Sequence, residues 1–189
     1  MKKTVLDYTL KIRLPLTLFV ILCSVMITYF ISKPERDGVG YGPEQPIKYS
    51  HRLHAGTLGI DCKYCHVGAD KTRHAVVPAA NICMNCHQVA RKDSPEIKKL
   101  AFYYNNNRPI PWKRIHKLPE FVYFNHSAHV NKNIDCARCH GNVANMEVVS
   151  QVKTFSMSAC LDCHRHPDRM LTEVKNIAKG PDNCFACHR

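Results

Sequence analysis

Aromatic residues are scarce, 8% of a 189-residue chain with a single tryptophan, which weighs against a large conventional hydrophobic core. Glycine is scarce as well, and eight residues exclude a collagen-like or glycine-rich repeat. Acidic side chains number 15 against 27 lysines and arginines, leaving a formal charge of +12 and a pI near 9.3. That imbalance raises nucleic acid or an anionic membrane surface as partners. Strand-like runs are missing too: no candidate exceeds about five residues, apart from an ambiguous 145–153. What the chain has in excess is cysteine and histidine, 11 and 12 residues. The cysteine content lies below that of a small disulfide scaffold and far above that of an ordinary cytosolic protein.

Ten of the eleven cysteines fall in one pattern, Cys-x-x-Cys-His, repeated five times. The copies are Cys62/Cys65/His66, Cys83/Cys86/His87, Cys136/Cys139/His140, Cys160/Cys163/His164 and Cys184/Cys187/His188. Composition alone gives roughly 0.04 such matches by chance, and the pattern is that of c-type haem attachment. Two thiols three positions apart share one side of a helical turn, where each can add to one porphyrin vinyl group. The histidine that follows then sits under the iron as proximal ligand. Paired cysteines also suit zinc, which takes four ligands per site, or redox and structural disulfides. Neither alternative calls for a histidine in the same place five times. Five haems c bring ten propionates, so much of the basic excess neutralises cofactor. With no aromatic–basic stacking signature, nucleic acid falls away as a partner.

Residues 14–31, LPLTLFVILCSVMITYFI, form 18 residues without charge, about 27 Å as a helix, enough to span hydrocarbon. Lys2, Lys3, Lys11 and Arg13 precede them against the single acid Asp7. The positive-inside rule keeps 1–13 cytoplasmic, makes 14–32 a transmembrane anchor and exports the rest. A cleaved signal peptide is the competing possibility, but no small-x-small site follows. Cys23 lies inside this span as an apolar side chain and carries no haem. Residues 33–48, with three prolines and three glycines, are a linker.

An imperfect repeat follows. Tyr49-Ser50-His51-Arg52-Leu53-His54 leads to the first motif, and Phe124-Asn125-His126-Ser127-Ala128-His129 leads to the third. The spacing from Cys62 to Cys136 is 74 residues and from Cys83 to Cys160 is 77. Two units, 49–100 and 124–166, each read aromatic-x-His-x-x-His followed by two motifs, with a fifth motif, 184–188, appended. Histidines at i and i+3 share a helix face. His51, His54, His126 and His129 are therefore candidate distal ligands, which makes four haems bis-histidine and six-coordinate. Between the units, 101–120 holds three consecutive asparagines and prolines at 109, 111 and 119, which argue against a regular helix. Short helices are expected at 93–101 and 168–178.

A fifth distal ligand must come from the remaining His74, His116 and His166 or from methionine, the other usual axial ligand. Met146 precedes the fourth motif by 14 residues, room for a turn that folds back over the next haem. It stands ahead of Met157 and His116. The expected fold is mostly α and irregular, with one N-terminal transmembrane helix and a haem-cored domain, 49–189, with little sheet.

The frame SHRLHAGTLGIDCKYCH, ICMNCH, PIPWKRIHKLPEFVYFNHSAHV, CARCHGNV and CLDCHR resembles the pentahaem cytochrome subunit of bacterial alternative complex III. More distantly, the His-x-x-His and Cys-x-x-Cys-His units resemble the class III multihaem cytochromes c. The resemblance implies an electron-transfer subunit, without catalysis of its own, in a quinol-oxidising respiratory complex of the inner membrane with its haem domain in the periplasm. It further implies an iron–sulfur subunit related to molybdopterin oxidoreductases, polytopic quinol-binding subunits, and a monohaem cytochrome c or terminal acceptor. The run His164-Arg165-His166 departs from that pattern by one histidine. Two other classes remain open: a small membrane-anchored multihaem quinol dehydrogenase and a multihaem reductase with an open iron position.

Overall fold

The computed structural model of the chain describes residues 7–31 and 38–188. Lys2, Lys3, Ser32, the first part of the expected linker (33–37) and Arg189 lie outside them. The chain divides into an N-terminal helical unit and a unit from Gly38 onward.

In the first unit, wider turns over Thr9–Arg13 run into α1, Leu14–Ile31. Pro15, which has no N–H to donate, follows directly on those wider turns. Thr17 Oγ1 donates to the Leu14 carbonyl at 2.8 Å and Thr28 Oγ1 to that of Ser24 at 2.8 Å. These hydroxyls are satisfied within the helix, as lipid would require. Within Thr9–Ile31 an 18-residue window has a mean hydropathy of 2.3, and none of it is buried. It is long and apolar enough to cross a membrane, by a measure that a signal sequence also meets.

The second unit is a set of short helices joined by irregular chain. They are α2 (Cys62–Cys65), α3 (Ala80–His87), α4 (Pro95–Asn105), α5 (His126–Val130), α6 (Ala137–His140), α7 (Met157–Arg165), α8 (Pro167–Met170) and α9 (Cys184–Cys187). A wide turn covers Arg52–Thr57 and a tight one Val143–Asn145. Among the described residues no strand forms; the one bridge pairs Val122 with His188. The ambiguous segment 145–153 is irregular.

One apolar cluster forms where α3 meets α4: Ile47, Met84, Leu100 and Ile110 are buried, with Ala80, Cys83, Ile97, Ala101, Tyr103 and Trp112 against them. Ile97, Leu100 and Ala101 repeat at the helical spacing that makes one stripe. That packing carries α4 four residues beyond the expected end at 101, into the segment whose asparagines and prolines argued against helix. The helix stops only when Asn107 takes a left-handed φ of 49° two residues before Pro109. The expected helix over 168–178 is confined to α8, because Leu171, 3% exposed, turns the chain inward.

Candidate haem-attachment sites

Every Cys-x-x-Cys lies on a helical turn, and in four of the five the residue ahead of it explains why. Asp61 Oδ1 accepts from the Lys63 N–H at 2.7 Å, Asp135 Oδ1 from Ala137 at 2.6 Å, Ser156 Oγ from Ala159 at 3.3 Å and Asn183 Oδ1 from Ala186 at 3.0 Å. These short acceptors satisfy the free N–H groups that open a helix, so helical turns form at the thiols. No two of the eleven cysteines are joined in a disulfide.

The five motifs are not equivalent, as their identical spacing had suggested, and Cys86 is the departure. Cys62, Cys136, Cys160 and Cys184, the first thiols of four motifs, are exposed, while their second thiols, Cys65, Cys139, Cys163 and Cys187, are half-buried. In the second motif the order reverses: Cys83 is half-buried and Cys86 is exposed. The reason is the apolar cluster. The second motif sits in the last two turns of α3, whose Ala80, Cys83 and Met84 form the stripe that packs on α4. Cys86, about 160° round the helix from Met84, lies beyond the edge of that stripe and reaches solvent.

The histidines are held by one nitrogen. Nδ1 meets a backbone carbonyl in His54 (Ser50, 2.8 Å), His66 (Val76, 2.7 Å), His87 (Ala90, 2.9 Å), His126 (Arg73, 2.8 Å), His129 (Asn125, 2.8 Å) and His164 (Pro181, 2.6 Å). A carbonyl only accepts, so Nδ1 carries the proton and Nε2 keeps its lone pair for a metal. Two of the carbonyls are placed by special backbone. Val76 sits at φ 67°, a conformation costly for a β-branched residue. A Cβ on Gly180 would meet the His164 ring at 2.6 Å, so only glycine lets the chain lie flat there and present Pro181.

Sequence-distant histidines face one another. His126 and His140 have ring centroids 6.4 Å apart, His129 and His164 6.0 Å, and His54 and His87 6.1 Å. Two imidazoles on opposite faces of one metal ion, each bonded at roughly 2.0–2.1 Å with its centre about 1.1 Å beyond, stand about 6.3 Å apart. In separation, each pair matches two imidazoles on one iron. For His51, burial first, then the His66 and His54 imidazoles, lowers the pKa to about 4. Burial, then His116, His126 and His66, lowers that of His140 to about 4 as well. Both rings are thus neutral near pH 7, the ligating form. His51 Nδ1, Arg73 Nε and Trp112 Nε1 are buried without a partner in the chain, and the latter two are donors suited to propionates. No cluster of three or more His, Cys, Asp and Glu stands ready for a metal ion among the described residues.

Aromatic rings brace the His-x-x-His pairs. Tyr49 stacks on His54 at 4.5 Å and meets His51 edge-on at 4.7 Å. Phe124 does the same to His129 at 4.5 Å and His126 at 4.8 Å. The repeat frame carried that signal. The carbonyls of Val76, Ala90, Arg73 and Pro181 had none, because a backbone acceptor leaves no residue type to read.

The other candidates are scattered. His74 and His166 are exposed. His116 is half-buried, edge-on to His140 at 4.4 Å, with Nε2 unpartnered. His188 pairs with Val122 and stacks on Phe121 at 5.7 Å. Met146 closes the Val143–Asn145 turn; its Cε lies beside Gly141 and its carbonyl accepts from the Arg52 N–H at 3.0 Å. Met157 opens α7 and is 67% exposed.

Comparison with known proteins agrees with this chemistry. Residues 122–189 match the family described as cytochrome c7 and related cytochrome c. The chain is 26% identical over 170 residues to the menaquinone reductase, multiheme cytochrome c subunit, of Nitratidesulfovibrio vulgaris strain Hildenborough, covering 77% of each chain. Sequence, fold and both similarities support a multihaem c-type cytochrome: mostly helical and irregular, with covalently bound haem c.

Proposed function

We propose that this chain is a membrane-anchored electron conduit, a subunit of a quinone-linked respiratory complex that holds five haems c. The observation that carries this is the set of facing histidines at 6.0–6.4 Å, each pair joining a His-x-x-His residue to a motif histidine. Cys62/Cys65, Cys83/Cys86, Cys136/Cys139, Cys160/Cys163 and Cys184/Cys187 attach the haems, and His66, His87, His140, His164 and His188 are the proximal ligands. His51, His54, His126 and His129 complete the first four, in that order of motif use: first, second, third and fourth. Met146 is the proposed distal ligand of the fifth, with Met157 and His116 as its competitors. Haem iron supplies reversible one-electron transfer. With a ligand on each side, these residues would hold the iron six-coordinate and closed to substrate, which would suit electron transfer rather than a reductase.

Residues 14–32 anchor the chain in the inner membrane, 33–48 link it to the cytochrome domain, and 49–189 lie in the periplasm. The partners are those of an alternative complex III: an iron–sulfur subunit, polytopic quinol-binding subunits and a monohaem cytochrome c or terminal acceptor. A second direction of flow is favoured by the relative's name, menaquinone reductase, in which electrons run toward the quinone pool. The chain would do the same work either way. The test is purification in mild detergent, identification of what stays bound, and the mass of the denatured polypeptide. Five haem masses, a low-spin ferric spectrum and quinone-binding partners are expected. A strong high-spin signal would turn the assignment toward a reductase, and quinol oxidation by the isolated chain toward the small dehydrogenase.

A further inference from the structure

We infer that the five attachment sites form one unbranched row in the order second, first, third, fourth, fifth, so that electrons enter and leave at the second and fifth sites. The order rests on the five-haem conduit proposed above.

Each link has its own contact. The second and first sites share one His-x-x-His turn: Tyr49 touches both His51 and His54, and Asn85 of the second motif donates to Tyr64 Oη of the first at 3.1 Å. The first and third are joined where the two repeats meet. Glu147 takes Arg52 at 2.9 Å and Ser50 Oγ at 2.8 Å, and the Met146 carbonyl takes the Arg52 N–H. The third and fourth share the second His-x-x-His helix through Phe124, and Arg138, inside the third motif, pairs with Glu173 beyond the fourth at 2.7 Å. The fourth and fifth are joined by the chain that approaches α9: Gly180 N donates to the His164 carbonyl at 2.9 Å while Pro181 takes its Nδ1.

The chain order of the motifs is therefore not the order in space: the first motif is interior and the second is an end. The two most exposed large apolar side chains among the described residues belong to the two ends, Phe185 at 84% inside the fifth motif and Val89 at 82% two residues after His87.

Passage along the row makes no bond and breaks none. Each site takes one electron from the neighbour it oxidises and yields it to the neighbour it reduces. A one-electron donor feeds one end and a one-electron acceptor drains the other.

Iron positions located by anomalous scattering in the full-length holoprotein test the order directly. The expected result is five irons in which the shortest separation between the two repeats joins the His66 and His140 sites. The His87 iron should neighbour only His66, and the His188 iron only His164. Five irons whose closest inter-repeat pair involves His87 or His164, or a His188 iron nearer to His66 than to His164, would overturn the order and leave the conduit standing. Fewer than five irons would sink the conduit itself.

Discussion

The imidazoles of His126 and His140 are near-parallel, ring centroids 6.4 Å apart and planes within 6° of each other. They are 14 residues apart in the chain, and the Arg73 carbonyl fixes one of them from a third segment. Removing His126 should leave its iron five-coordinate. H126A is expected to convert one of five low-spin ferric haems to high spin, visible in the magnetic spectrum, and H126M to raise one potential, on the order of 0.1 V within the span axial ligands command. H74A, at an exposed histidine, should change neither. A low-spin spectrum retained in H126A would remove His126 from the ligand set.

Gly180 offers a subtler test. A methyl group there collides with the His164 ring and should push Pro181 off Nδ1. That hydrogen bond makes the imidazole a stronger donor and so favours ferric iron. G180A is therefore expected to raise the midpoint potential of one haem while all five stay attached and low-spin. An unchanged titration would show that the Pro181 carbonyl does not tune this site.

The protein's own core is small, and stability should reflect that. L100A opens the cluster between α3 and α4, where Leu100 is 4% exposed, and should cost about 2–3 kcal/mol, the lower part of the large-to-small range. Replacing all ten motif cysteines with serine should do more and abolish a cooperative thermal transition altogether. Calorimetry of the two variants checks both. A cooperative transition in the haem-free chain would mean that the polypeptide packs without its cofactors.

How much of this was legible beforehand divides along a physical line. Covalent attachment and axial ligation demand particular residue types at fixed spacing, so the ten thiols, their histidines and the two His-x-x-His pairs stood out in the sequence. Which imidazole faces which did not, because within each repeat the pairing depends on how irregular chain folds the motif helices back on the His-x-x-His turn, and no residue type marks that path. The exposure of Cys86 in place of Cys83 was equally hidden, since five identical spacings say nothing of which helix face a neighbour covers. The end of α4 was misjudged because the asparagines at 105–107 weigh against helix locally, whereas packing of Leu100 on Met84 is a tertiary effect. Val76 could not be foreseen either, since nothing in a valine announces a positive φ.

The proposed orientation in the membrane rests on Lys11 and Arg13 just ahead of α1, with Lys2 and Lys3 before them. A reporter active only in the periplasm and fused after residue 189 should therefore work. An inactive fusion would invert the orientation and place the thiols on the side where reduced cysteines prevail.

The fifth site has a motif histidine, His188, and no facing imidazole among the described residues. Its stacking neighbour is Phe121, which cannot ligate. Chain spacing favours Met146, which can fold back from the Val143–Asn145 turn; its backbone is tied to Arg52 and its Cε lies beside Gly141, next to the third site. Met157 competes from the first turn of α7, where it is exposed. His116 competes with a buried Nε2 that has no partner, although its ring is already against His140. A thioether favours ferrous iron and raises the potential, so a methionine-ligated fifth haem would be the strongest electron sink in the row, and it stands at the end from which electrons would leave. The measurement is the sulfur-to-iron charge-transfer band at the red edge of the ferric spectrum, with a redox titration, in M146A, M157A and H116A. Loss of the band and of the highest-potential component in M146A alone is expected. Loss in M157A alone would move the ligand to α7, and a wild-type protein without the band would give the site to His116.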